Sequence, residues 1–137
     1  MKKYLLDTNI FLRFLTKDDP IKAEKILAFF QKAERGDIKL SASDLIVAEV
    51  VWVLTSKKLF NFSRKQIYDS FLPLLLKDYL EISSKAMLLK IFDLFIEKSI
   101  DFIDCYNAVL VGESNERFIL SYDGDFDKVP FVVRVEP

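Results

Sequence analysis

Four carboxylates in this sequence follow predicted strands or lie near the starts of predicted helices. They are Asp7, Glu49, Asp104 and Asp123. The chain has no His and one Cys, which excludes a His-based catalytic triad, an imidazole general base and zinc sites built from Cys or His. Carboxylates without His suit the binding of Mg²⁺ or Mn²⁺, because these hard ions prefer oxygen ligands. Such an ion activates water and neutralises phosphate charge during an in-line displacement.

Three of these acids also have a purely structural interpretation, and the sequence leaves both interpretations open. Asp7 is a favoured residue type for a helix cap. Asp104 can complement a helix dipole next to a capping Asp101. The run from Asp123 to Asp125 is typical of a turn.

Glu49 is different because its surroundings are apolar. It lies in the stretch Leu45–Leu54, whose composition predicts a helix buried on all sides. An unpaired charge buried there would be destabilising by several kcal/mol unless a metal ion or a shared proton compensated it. This argument favours a functional role for Glu49.

The elements that must position these acids alternate between strands and helices. This alternation predicts an α/β fold with a short parallel sheet covered by helices, whose chemistry gathers outside the carboxyl ends of the strands. All four acids are therefore expected at one edge of a single sheet. Strands are predicted at 3–6, 38–41, 117–121 and 131–135, and helices at 10–15, 20–35, 45–56, 63–76, 85–98 and 101–114.

Length and composition predict one globular domain over residues 1–137. The chain is 51% hydrophobic and 30% charged, which excludes a disordered or low-complexity protein. Charges interrupt every apolar run before the roughly 18 residues that a membrane span needs. We therefore expect a cytoplasmic protein with no membrane association.

In the order and spacing of its motifs, the sequence resembles a PIN domain, and more narrowly the VapC toxins of toxin–antitoxin pairs. The resemblance covers nearly the whole chain in order. It is carried by Leu5–Asn9, Ala48–Val50, Asp101–Cys105 and Ser121–Phe126.

The resemblance implies a three-layer α/β/α sandwich and a hydrolase, a Mg²⁺- or Mn²⁺-dependent endoribonuclease acting on RNA. It also implies a homodimer and inhibition by a cognate antitoxin protein. Residue by residue, it assigns metal binding to Asp7, Glu49, Asp104 and Asp123. Asn9 and Ser121 match supporting positions, and Asp101 and Asp125 are further acids of open role. Cys105 matches a position where small residues are common; because it has no His partner and begins an apolar stretch, we expect it to be buried by packing.

Two other function classes, a phosphatase and a non-catalytic binding module, share part of this pattern. A phosphatase of the haloacid dehalogenase type also has an Asp after its first strand, but it needs a second acid two residues later, where this chain has Asn9. A receiver-type or non-catalytic PIN-like binding module would retain a similar sheet. The presence of all four acids disfavours a degenerate module.

The charge pattern is compatible with a phosphate substrate. The net charge is −1, from 20 basic and 21 acidic residues; without the four candidate ligands, 20 − 17 leaves +3. The cations near the candidate site can contact RNA or form a solvated face, and both interpretations stay open: Arg13, Lys17, Lys57, Lys58, Arg64 and Lys65.

The predicted helix at 85–98 is apolar over more than one narrow stripe. This width predicts a surface for the second copy or for the antitoxin. The side chains that carry this prediction are Leu88, Leu89, Phe92, Leu94, Phe95 and Ile96.

Overall fold

The computed structural model describes residues 1–137 and divides into two compact units, Met1–Lys85 and Ala86–Pro137. One domain over residues 1–137 stays a prediction. None of the helices has the length and apolar content required to cross a membrane.

The first unit contains a three-stranded sheet with helices between its strands. The strand order is β1-β2-β3, and both pairings are parallel, with Leu5 opposite Ser41 and Ser41 opposite Glu81. The elements in chain order are β1 (Lys3–Leu5), α1 (Thr8–Thr16), α2 (Pro20–Glu34), β2 (Lys39–Ser41), α3 (Asp44–Thr55), α4 (Arg64–Leu75) and β3 (Leu80–Glu81).

Local sequence signals account for the ends of these helices. Asp19 caps α2 by accepting a hydrogen bond from Lys22 N at 3.1 Å, and Pro20 takes the first helical position. The chain leaves α2 through Gly36, whose φ of 85° suits a residue without a Cβ. Ser63 and Gln66 form a reciprocal capping box at the start of α4.

Helix α3 is amphipathic, and this corrects one expectation. Val47, Val50, Val51 and Leu54 form its buried side. Glu49 is exposed, between Leu45, which is 83% exposed, and Trp52, which is 67% exposed. The argument that Glu49 is a charge buried in an apolar helix is therefore wrong, because apolar composition on all sides does not mean burial on all sides.

The second unit contains a two-stranded parallel sheet, in which Phe118 pairs with Val133 and Leu120 with Val135. A 3₁₀ helix lies between these two strands in the sequence. Only a turn was predicted there. The elements in chain order are α5 (Lys85–Glu97), whose first residue belongs to the first unit, α6 (Phe102–Gly112), β4 (Phe118–Leu120), the 3₁₀ helix (Gly124–Lys128) and β5 (Val133–Val135).

Aromatic packing fixes the start of α6 within the second unit. The ring of Phe102 packs edge-to-face against Phe92 and Phe95, with centroid distances of 5.2 and 5.5 Å. These α5 side chains are buried, as are Leu88 and Leu94; Leu89 and Ile96 are only 41% and 39% exposed. The expectation of a wide free apolar face on α5 is therefore wrong, because most of that face packs inside the chain.

The parallel α/β organisation matches the sequence prediction, but the number of sheets differs from it. All three strand pairings are parallel. The strands form two sheets, where the sequence predicted a single one. The short third strand, Leu80–Glu81, was too short to predict from sequence.

Candidate functional site

Asp7 lies at the first turn of α1 without capping it. Its backbone is extended (φ −75°, ψ 160°), and its carbonyl accepts a hydrogen bond from Ile10 N at 3.0 Å. Its carboxylate, however, accepts no capping hydrogen bond, in contrast to that of Asp19 at the start of α2. Asn9, two residues further on, is exposed in the same turn. Asp7 therefore occupies the N-cap position, but the interpretation that its side chain caps the helix is wrong.

Glu49 follows the neighbouring strand of the same sheet. Leu6 N donates to Ser41 O at 2.8 Å, which aligns the carboxyl ends of β1 and β2. Helix α3 begins just beyond β2, where Ser43 accepts a hydrogen bond from Ile46 N at 3.2 Å. The first unit thus places Asp7 and Glu49 beyond the carboxyl ends of adjacent strands, and neither carboxylate forms a hydrogen bond or an ion pair.

Asp104 is the centre of a group of acids in the second unit. It is half-buried in the first turn of α6. Burial raises the pKa of the Asp104 carboxyl, and the negative charges of Asp123, Asp101 and Asp125 raise it further. Asp101, at the N-cap of α6, makes no capping hydrogen bond with its side chain. The second unit therefore crowds like charges around one carboxyl without neutralising it.

The loop after β4 orders the acids that face Asp104. Ser121 Oγ accepts a hydrogen bond from Asp123 N at 2.9 Å, so this hydroxyl holds the backbone of Asp123. Asp123 Oδ1 accepts one from Asp125 N at 2.9 Å and caps the 3₁₀ helix. The turn interpretation of Asp123 is thus correct, but it occupies only one carboxylate oxygen.

Asp125 differs from the other acids because it has a cation beside it. Its Oδ1 lies 2.9 Å from Lys128 Nζ, in an exposed pair at i, i+3. The turn thus engages Asp123 with an amide and Asp125 with an ammonium, while the Asp101 carboxylate forms neither kind of contact.

Arg134 is a positioning residue that the sequence analysis missed. Its guanidinium pairs with both oxygens of Asp127, at 3.0 and 3.1 Å, and contacts Glu136 at 2.6 Å. Its Nη1 also donates to the Ser121 carbonyl at 3.2 Å, which connects β5 to the loop that carries Asp123. Hydrogen bonding to Asp127, followed by that to Glu136, raises the pKa of Arg134. A single cation in the apolar run 131–135 was the signal for it.

Cys105 serves packing, as predicted. It is fully buried, and its Sγ lies 3.9 Å from the carbonyl oxygen of Ile100. The chain has no His to activate a thiol. Cys105 is therefore part of the interior beneath Asp104.

The donors of the second unit fit a hard divalent cation in type and charge. They are carboxylates, and their repulsion, visible in the raised pKa of Asp104, is the term that a bound cation would reverse. Neither unit by itself gathers three Asp, Glu or Cys side chains into positions that could hold one metal ion. The fit is thus one of ligand chemistry and charge.

Comparison with known proteins identifies a family. The family model described as "PIN domain" matches residues 4–132, a range that includes both units. This match confirms the predicted PIN-like α/β/α fold class. A search of curated proteins found no significant match.

One solved structure that matches is the crystal structure of VapBC2 from Rickettsia felis bound to a DNA fragment from their promoter. The two chains are 20% identical, the match covers 98% of each, and the TM-score is 0.39.

Asp7 and Asp19 form a matched pair that tests whether Asp7 stabilises its helix. We expect Asp19→Ala to lower the free energy of unfolding by about 1 kcal/mol, because it removes a capping hydrogen bond. Asp7→Ala should lower it by clearly less, since no such bond is lost. Urea unfolding of both variants measures the difference, and an equal loss in the two variants would contradict the geometry.

Asp104→Asn should leave the protein without metal at least as stable as the wild type at neutral pH. Because folding raises the pKa of Asp104, its stabilising contribution is fully present below the ordinary carboxyl pKa and is lost as pH rises through the raised value. The advantage of Asp104→Asn should therefore grow as pH rises through that range and then level off. Thermal melts from pH 3 to 8 in chelator, with Asp104→Ala as the control for lost hydrogen bonding, measure this. A loss of stability for Asp104→Asn at neutral pH would identify Asp104 as a structural residue.

Proposed function

This chain belongs to the PIN domain family, and from that premise we propose that residues 1–137 form one metal-dependent endoribonuclease domain that hydrolyses RNA phosphodiester bonds. The observation that carries the proposal is the crowding of Asp101, Asp123 and Asp125 around the half-buried Asp104. A fold does not maintain repelling, partly desolvated carboxylates for stability, and perturbed groups of this kind concentrate at functional sites.

The residues proposed to hold Mg²⁺ or Mn²⁺ are Asp7 and Glu49 from the first unit and Asp104 and Asp123 from the second. Support comes from their side chains: Asp7 and Glu49 have no protein partner, and Asp123 engages one oxygen only. When bound, the ion supplies charge neutralisation and activation of water.

The surrounding residues hold these acids in place. Ser121 fixes the backbone of Asp123, and Arg134 fixes the carbonyl of Ser121. Asp101 adds negative charge next to Asp104, while the charge of Asp125 is partly offset by Lys128. Asn9, exposed in the first turn of α1, is proposed to support the Asp7 carboxylate by hydrogen bonding.

We further propose that the protein is the toxin of a toxin–antitoxin pair, acts in the cytoplasm, forms a homodimer and binds a cognate antitoxin protein. The support is the ordered set of motifs that resembles the VapC toxins, in a chain of the PIN family. The haloacid dehalogenase alternative gains no support, because the position two residues after Asp7 is Asn9.

The nuclease proposal is tested by cleavage of a panel of end-labelled single-stranded RNAs. We expect internal cleavage with Mn²⁺ or Mg²⁺, none with chelator, and a loss in Asp7→Asn and Asp104→Asn that exceeds the roughly 10- to 100-fold typical of a supporting residue. Asp19→Asn is the matched control, because Asp19 also stands at a helix start but is engaged in capping. Cleavage that survives both chelation and Asp104→Asn would overturn the metal mechanism.

Metal binding has a second measurement that does not depend on activity. An ion that binds only the folded protein at 100 times its Kd stabilises it by about 2.7 kcal/mol. The Tm of the wild type should therefore rise by several degrees with Mn²⁺, and that of Asp104→Asn should rise much less. Equal rises in both proteins would place the ion elsewhere.

The homodimer is tested by light scattering of the purified chain over a wide concentration range. We expect the mass of a dimer, twice 16.0 kDa. A strict monomer at every concentration would contradict that part of the proposal and leave the nuclease assignment untouched.

A further inference from the structure

The exposed side of α3 carries an aromatic ring beside Glu49. Trp52 is the only tryptophan of the chain and is 67% exposed. It lies three residues after Glu49, so the two side chains are neighbours on the helix surface. The buried contacts of α3 come from the other side, through residues such as Val50 and Leu54. The indole of Trp52 is therefore largely free of any packing role.

Two cations lie just beyond the helical turn that carries Trp52. Ser56 N donates to the Trp52 carbonyl at 3.1 Å, and Phe62 N donates to the Leu54 carbonyl at 2.7 Å, so the chain turns back against the end of α3. This turn contains Lys57 and Lys58. Both are exposed and neither forms an ion pair, unlike Lys65, which is paired with Asp69 at 2.6 Å.

We propose that Trp52, Lys57 and Lys58 form a binding site for single-stranded RNA, in which one base stacks on the indole and the two ammonium groups contact phosphates. Aromatic rings next to cations are the usual means of holding single strands, because every base has a face that stacks and every nucleotide carries a charge. The proposal rests on the proposed function, since it places a base next to Glu49. Its consequence is a strand that runs along α3 toward Glu49.

The charges of this surface favour RNA over a second copy of the chain. Leu45 and Leu59 are also exposed, at 83% and 59%, so the face is apolar enough for self-association. A contact between two such faces, however, would bring Lys57 and Lys58 of each copy into one interface, where like charges are unfavourable. A polyanion meets the same lysines favourably.

The single tryptophan supplies a direct measurement on the unmodified protein. A 12-nucleotide single-stranded RNA of mixed sequence is titrated into the wild type in chelator, so that no cleavage occurs. We expect Trp52 fluorescence to be quenched in a saturable way, because stacking on a base changes the environment of the indole. Binding without quenching would overturn the site.

Variants then separate stacking from charge, with anisotropy of a labelled RNA in chelator as the measurement. Trp52→Ala should weaken binding roughly 5- to 150-fold, and Trp52→Phe should recover part of the loss. Lys57→Ala/Lys58→Ala should reduce the salt slope of log K by about 1.4, or about 0.7 for each phosphate contact.

Matched controls remove the same groups elsewhere. Lys22→Ala/Lys25→Ala takes two exposed, unpaired lysines from α2, and Phe118→Ala removes a ring that is 58% exposed. Neither control should change RNA affinity by more than about twofold. Losses equal to those of the Trp52 and lysine variants would mean general charge or surface effects and would overturn the proposal.

The remaining outcomes distinguish this inference from the nuclease proposal. RNA cleavage with no quenching and normal affinity of Trp52→Ala would overturn the stacking site alone. Quenching without cleavage under any metal would support the site and overturn the nuclease. Light scattering tests whether a second copy of the chain binds this face instead. If Trp52→Ala converts a dimer to a monomer without changing RNA affinity, the face is a dimer interface and the inference is wrong.

Discussion

Repulsion between carboxylates is the constraint on which the second unit depends. Burial and three neighbouring acids all act in the same direction on Asp104, so its charged form is disfavoured in the folded chain. Two cations of the unit are engaged by other acids: Lys128 pairs with Asp125, and Arg134 pairs with Asp127 and Glu136. All the charged groups that shift the pKa of Asp104 are acids. A fold that concentrates negative charge in this way loses stability as Asp104 ionises.

The helix dipoles of α1 and α6 partly offset the negative charge of two acids, and they do so without capping hydrogen bonds. Asp7 and Asp101 occupy N-cap positions, where the positive end of the helix dipole favours a negative charge. Neither side chain is used up in capping, so both keep their oxygens available. Elsewhere the same chain caps its helices with Asp19, Ser43 and Ser63. The carboxylates that are free of capping therefore stand at the starts of α1 and α6, and Asp104 lies in the first turn of α6.

Periodicity and capping signals predicted most of the elements, and geometry decided the rest. All six predicted helices match observed ones within two residues at each end; the first was predicted to begin two residues late, because Asp7 takes the N-cap and Thr8 is already helical. Composition failed at α3, where the distinction between a buried and an exposed apolar side chain lies in spacing: Val47, Val50 and Leu54 recur at helical intervals that exclude Glu49. Asp7 and Asp19 are both an Asp at a helix start, and only the Pro20 that follows Asp19 distinguishes them in the sequence. Arg134 was missed because its partners lie in a turn and at the end of the chain.

The exposed position of Glu49 changes the interpretation of α3. A charge at the surface has no desolvation penalty that a metal ion must offset, so burial no longer argues for a ligand. What remains is a helix with two separate sides. One side holds the first unit together through its valines and Leu54, and the other presents a carboxylate, an indole and an exposed leucine to solvent. Because stability is concentrated on one side, the other side is free to change with little effect on folding. A helix divided in this way can specialise in substrate contact without endangering the sheet that positions it.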